Sequence, residues 1–114
     1  MTMEFGADLM QLGVKTVVIE AWGDMDISAA ADFDRCVDSA LACETAEMVL
    51  DLRRVTFADS SAADRIGIAA CHAVVEGRRL VVPPSRCLRR VLILTGTARF
   101  VAIEEDARAE GTAV

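Results

Sequence analysis

An aspartate followed by two serines, Asp59-Ser60-Ser61, is the part of this chain best suited to chemistry. The stretch from Val49 to Ser61 reads as a buried strand, a short turn and the opening of a helix. That reading places the Ser60 hydroxyl where a helix offers free backbone N–H groups, a setting that favours negative charge. Three roles are open to it: nucleophile, phosphate acceptor or helix cap.

A nucleophilic serine needs a base within hydrogen-bond reach. The chain has one histidine, His72, twelve residues further along the same helix. At 1.5 Å per residue it stands roughly 18 Å away. No G-x-S-x-G elbow surrounds Ser60, and neither a phosphate-binding P-loop nor a dinucleotide fingerprint occurs. The cysteines Cys36, Cys43, Cys71 and Cys87 form no C-x-x-C pair. They read as reduced, mostly core-facing thiols rather than a zinc site. Asp24 and Asp26 are two acids without further ligands, which suits a turn. No metal or cofactor is expected. A phosphate on Ser60 would lie beside Asp59, changing the surface charge sharply and the fold little.

These residues need strands and helices to hold them. Met3–Leu12 reads as a short edge strand and Gly13 as a turn. Lys15–Ala21 is a β-branched strand, broken at Gly23–Asp26. Ser28 is expected to cap a helix with Phe33, Val37, Ala40 and Leu41 on its apolar face. Glu47–Leu52 is a strand with a continuous apolar centre. A helix runs from about Ser61 to Glu76, and Gly77 ends it. On that helix Ala62, Ile66, Ala69, Ala70 and Ala73 follow the core spacing. Asp64, Ile68, Cys71, His72 and Val75 lie on or near the other side. Arg79–Val82 is a short strand, and Pro83-Pro84 leads into a helix from Ser85 to Leu94. Arg86, Arg89 and Arg90 form a basic cluster there, read as a solvated face. After the turn Thr95-Gly96-Thr97 come a last strand, Arg99–Ile103, and a brief acidic helix within Glu104–Glu110. The order β-β-α-β-α-β-α-β, with a final helix, implies an α/β fold. Its sheet is mostly parallel, with an antiparallel N-terminal edge.

The length of 114 residues fits a single domain, 1–114. Aromatics are 4% against 54% apolar residues, so the core is built from small aliphatic side chains. No apolar run reaches the roughly 20 residues of a membrane-spanning helix. The first ten residues contain Glu4 and Asp8 and resemble no secretory leader. A cytoplasmic location is expected, with no membrane insertion. A net charge of −6 argues against direct nucleic-acid binding.

The chain resembles the STAS family, the anti-sigma factor antagonists of bacteria. The matching segments are Val17–Ala21 with Gly23-Asp24-Met25-Asp26, and Val49-Leu50-Asp51-Leu52 with Val55-Thr56-Phe57-Ala58-Asp59-Ser60-Ser61. Gly77–Val82 and the stretch from Pro84 to Leu94-Thr95-Gly96 match further family blocks. The resemblance implies a STAS-type mixed sheet and a switch in place of an enzyme. An anti-sigma factor that is also a serine kinase, supplying the ATP, would phosphorylate Ser60, with Ser61 the lesser candidate. The unphosphorylated chain would bind that factor and free a sigma factor, and a phosphatase would reset the state. The implied partner surface is Asp24, Asp26, Asp59, Ser60, Ser61, Asp64, Arg65 and Ile68, with Asp26 helping to position Ser60. Where the family continues Ser-Ser-Gly-Leu-Gly, this chain has Ser61-Ala62-Ala63-Asp64-Arg65, which alters the surface one turn from Ser60. The alternative is a STAS module that is never phosphorylated, serving as an adaptor or structural subunit of a stress-sensing or lipid-transport complex.

Overall fold

A computed structural model describes residues 3–103. The elements are β1 (Gly6–Leu12), β2 (Thr16–Met25), a 3-10 turn (Ile27–Ala29), α1 (Ala30–Ala42) and β3 (Glu47–Ala58). They continue with α2 (Ser60–Val75), β4 (Arg79–Val82), α3 (Arg86–Leu94), a second 3-10 turn (Thr97–Arg99) and β5 (Ala102–Ile103). The expected acidic helix within Glu104–Glu110 lies outside the described residues. The five strands stand in sequence order in one sheet. β1 is antiparallel to β2, and every other pair is parallel. This is the mixed α/β architecture expected from the alternation of strands and helices.

One face of the sheet and all three helices share a single core. Val17, Ile19 and Ala21 of β2 meet Met48, Leu50 and Leu52 of β3 there, beneath Phe33 and Val37 of α1 and Leu88 and Leu92 of α3. The contribution of α2 is Ala62, Ala63, Ile66, Ala69, Ala70 and Ala73, all buried. Five alanines let that helix lie close to the sheet, which is how a chain poor in aromatics fills its interior. Arg78 closes the far end of α1: its guanidinium donates to the carbonyls of Ala40 (3.4 Å) and Leu41 (2.6 Å). The same two carbonyls accept from the Cys43 and Glu44 N–H groups (3.1 and 3.3 Å), so Arg78 adds a second donor to each at the helix end.

Several boundaries differ from the sequence reading. β1 begins at Gly6, not Met3. β2 is not broken at Gly23; it runs on to Met25. Its register shifts between Glu20 and Trp22 and again between Gly23 and Asp24, so the glycine belongs to a bulged stretch. Gly23 has φ +86°, and a Cβ there would lie 2.2 Å from the carbonyl oxygen of Glu4. Glycine is present because the N-terminal segment crosses at that point. β3 also continues, past Leu52 to Ala58, because β2 stays paired with it while Val55 and Ala58 keep turning inward. α3 begins at Arg86, not Ser85: Ser85 caps it by accepting from the Leu88 N–H, and Pro84 before it bridges to Leu52. The last strand shrinks to Ala102–Ile103, since Thr97–Arg99 forms a 3-10 turn.

Candidate functional site

Two adjacent parallel strands end together. Met25 of β2 is paired with Ala58 of β3, so the next residues, Asp26 and Asp59, leave the sheet side by side. Both have extended backbone, φ −110° and −118°. Both use one carboxylate oxygen twice. Asp26 Oδ1 accepts from the Ser28 N–H (3.0 Å) and the Ser28 hydroxyl (2.5 Å). Asp59 Oδ1 accepts from the Ser61 N–H (3.0 Å) and the Ser61 hydroxyl (2.5 Å). The motif Asp-x-Ser thus occurs twice with one geometry, and each aspartate caps the helical turn after it. The Ser28 hydroxyl holds the Asp26 carboxyl below the usual carboxylate range.

This arrangement corrects one expectation and closes one of the three roles left open for Ser60. Ser28 does not cap the first helix: it lies in the 3-10 turn that Asp26 caps, it donates to Asp26, and α1 follows from Ala29 with no side-chain cap. Ser60 does not cap the second; Asp59 does, and α2 opens at Ser60 itself. The N–H groups of Ser61 and Ala62 both point to Asp59, so they do not stand free for a charge on Ser60. Ser60 is exposed, and its hydroxyl has no hydrogen bond among the described residues. Ser61 is half-buried and its hydroxyl is engaged. The two serines therefore differ in geometry: one hydroxyl is presented and the other is tied.

The other residues expected at the partner surface divide. Asp24 is a tether: Oδ1 accepts from the Thr56 hydroxyl (3.0 Å) and Oδ2 from the Met3 N–H (3.1 Å). It holds the N-terminal segment against β2 and the end of β3. Asp64 and Ile68 are exposed and follow Ser60 at four and eight residues, on one stripe of α2. Arg65 turns away from that stripe and pairs with Asp34 of α1 at 3.1 Å. His72 is exposed in a groove between α1 and α2 that Asp34 and Arg65 also line, about three turns from Ser60. All four cysteines are free thiols; Cys36 and Cys43 are half-buried against the core, Cys87 is half-buried, and Cys71 alone of the four is exposed. Burial pushes the Cys36 thiol pKa up. Among the described residues no three His, Cys, Asp or Glu side chains stand close enough to hold a metal. A groove of about 440 Å³ lies between β1 and α1, lined by Asp8, Asp32, Arg35 and Cys36, and none of these residues belongs to the serine-bearing rim.

Two apolar residues beside this site escape the sequence reading. Ile27, which occupies in the first Asp-x-Ser loop the place of Ser60 in the second, is 76% exposed, and Phe57 is 50% exposed. The signal was the repeated Asp-x-Ser after an apolar strand, at Asp26-Ile27-Ser28 and Asp59-Ser60-Ser61.

A single-sheet α/β fold brings two matched acidic caps, an exposed serine and two exposed apolar side chains to one rim. The chain belongs to the STAS domain family: the family described as "Mlab, STAS domain" matches residues 10–103. Among solved structures it is similar to an anti-sigma factor antagonist from Mycobacterium paratuberculosis. That likeness has a TM-score of 0.80 and 19% identity, over 97% of this chain and 94% of that one. It is similar to the anti-sigma factor antagonist SpoIIAA in its unphosphorylated form (TM-score 0.64, 21% identity, 96% and 98% of the two chains). It is also similar to Bacillus SpoIIAA in the phosphorylated form (TM-score 0.69, 19% identity, 96% and 100%). Comparison with curated proteins returns no match. Among the described residues no helix is long and apolar enough to cross a membrane.

Proposed function

We propose that this chain is an anti-sigma factor antagonist controlled by phosphorylation of Ser60. The observation that carries this reading is the division of labour at the start of α2. Asp59 does the capping, and the Ser60 hydroxyl stays exposed and unengaged. A serine kept out of the helix's own hydrogen bonds is available to an incoming kinase, and its modification leaves the cap in place. The structural neighbours that are anti-sigma factor antagonists, one of them in a phosphorylated form, support the same role.

In this reading the unphosphorylated rim docks on an anti-sigma factor. Ile27 and Phe57 supply apolar contact, and Asp26, Asp64 and Ile68 flank it. Phosphate on Ser60 adds up to two negative charges next to Asp59 and near Asp26 and Asp64. The two N–H groups that would best neutralise it already serve Asp59. The dianion is therefore met by carboxylates, and the rim repels an acidic or apolar partner surface. A serine kinase supplies the ATP and a phosphatase removes the phosphate; the chain itself is substrate and binding module, located in the cytoplasm. Incubation with candidate anti-sigma kinases and ATP, followed by mass spectrometric mapping, tests this. Label on Ser60 is the expected result, and absence of label with every co-encoded kinase overturns it.

A second reading is an adaptor subunit that is never phosphorylated, as in a lipid-transport complex. It is favoured by the description of the matching family, "Mlab, STAS domain". Co-purification with a transporter ATPase, with Ser60 unlabelled in the same cells, would select it.

A further inference from the structure

The charge of this chain is unevenly divided. Residues 77–103 contain six arginines and no Asp or Glu, while the rest of the chain holds all 18 acids against six bases. The basic segment includes β4, α3 and the turn after it. Leu88 and Leu92 are fully buried and fix which way α3 faces. At 100° per residue the opposite side carries Arg86, Arg90, Ile93 and Leu94, with Arg89 on the flank. Leu94 is 77% exposed and Ile93 55%. The turn Thr97–Arg99 folds back on the end of α3: the Gly96 N–H donates to the Ile93 carbonyl (3.2 Å), and the Thr95 and Thr97 hydroxyls lie 2.9 Å apart. It adds exposed Arg99 and Phe100, the latter 73% exposed.

We propose that this face, α3 with Arg99 and Phe100, docks on an anionic lipid surface. Three large apolar side chains flanked by arginines are the pattern of an interfacial helix: apolar groups enter the headgroup region and guanidinium groups meet phosphates. An acidic protein surface fits less well. Protein interfaces commonly use both signs to set register, and this segment has no carboxylate with which to do so. A plane of uniform negative charge needs no register. The acidic remainder of the chain is repelled by the same plane, which turns the basic face toward it. The proposal is independent of the reading of Ser60.

The test is cosedimentation of the full chain with vesicles of phosphatidylcholine containing about a third phosphatidylglycerol, against phosphatidylcholine alone. Partition to the anionic vesicles should be at least about tenfold greater at low salt, and should fall steeply toward ~0.5 M salt as the charges are screened. The variant Arg86→Glu/Arg90→Glu/Arg99→Glu should lose the preference. Leu94→Ser/Phe100→Ser should weaken binding several-fold while keeping its salt dependence, and Ser60→Asp should leave it unchanged. Melting curves establish that each variant folds; if the charge reversal does not, Arg86→Gln/Arg90→Gln and the wild-type salt series take its place. Equal partition to both vesicles, no partition, or insensitivity to arginine replacement overturns the proposal. Binding to poly-glutamate without binding to vesicles overturns it in favour of an acidic protein partner.

Discussion

Ser61 donates its hydroxyl and its N–H to the same oxygen of Asp59, at 2.5 and 3.0 Å, and that bond separates two adjacent serines into a fastened one and a free one. The helix start is complete before Ser60 is considered. The cap and the exposed hydroxyl therefore rest on different side chains.

The first consequence is thermodynamic. Asp59→Ala should cost about 1 kcal/mol, the usual loss of an N-cap, and lower the melting temperature by roughly 4 °C for a domain of this size. Ser60→Ala should stay within about 0.5 kcal/mol of the parent. Equal losses in the two melting curves would return the cap to Ser60.

Binding should respond in the opposite sense. Ser60→Asp places a charge in the acidic rim and should weaken the complex with the anti-sigma factor by about tenfold or more, equivalent to ~1.4 kcal/mol. Ser60→Ala should bind as the parent does, and Ser61→Ala should still accept phosphate at Ser60. Calorimetric titration gives the affinities; matching values for Ser60→Asp and Ser60→Ala would remove the charge switch.

Ile27 is the structural counterpart of Ser60 in the neighbouring loop, and its side chain is largely in solvent. Exposed large apolar groups beside a functional rim tend to become interface anchors. Ile27→Asp should reduce anti-sigma factor binding by about 1–2 kcal/mol, with the melting temperature unmoved. Unchanged affinity would exclude Ile27 from the interface.

Gly23 carries the crossing of the N-terminal segment. Gly23→Ala forces a side chain onto the Glu4 carbonyl oxygen, 2.2 Å from its Cβ, at φ +86°. A loss of about 2 kcal/mol or more is expected. Faster amide exchange at Asp24, whose N–H donates to the Met3 carbonyl at 2.8 Å, should accompany it. Protection equal to the parent's would contradict the close crossing.

The order of strands and helices was legible because each has its own period. Val17–Ala21 is β-branched, and Ala62, Ile66, Ala69 and Ala73 repeat at helical spacing. Strand ends were not. Gly23-Asp24 reads as a break, since glycine and aspartate are turn formers; only the partner strand and the Glu4 crossing keep it in the sheet. Arg53-Arg54 likewise looks like a turn, although pairing with β2 carries β3 through it. The start of α2 was legible, but not which residue caps it. Ser and Asp are both good N-caps, and sequence does not say which of two neighbours takes the role. Arg65 was placed beside Ser60 by proximity in sequence, but its reach is decided by Asp34, on another helix.

The stitching at the other end of the sheet has a practical consequence. The Glu47 N–H donates to the Lys15 carbonyl and the Arg79 N–H to the Ala46 carbonyl, both at 2.9 Å, so three connections meet at the edge opposite Ser60. One of them, the hairpin tip at Gly13 and Val14, lies outside those bonds and is open to solvent. A fluorophore, an affinity handle or a linker to a solid support attached there leaves the serine rim facing outward, which makes this hairpin the natural place to hold the molecule while its partners are presented to it.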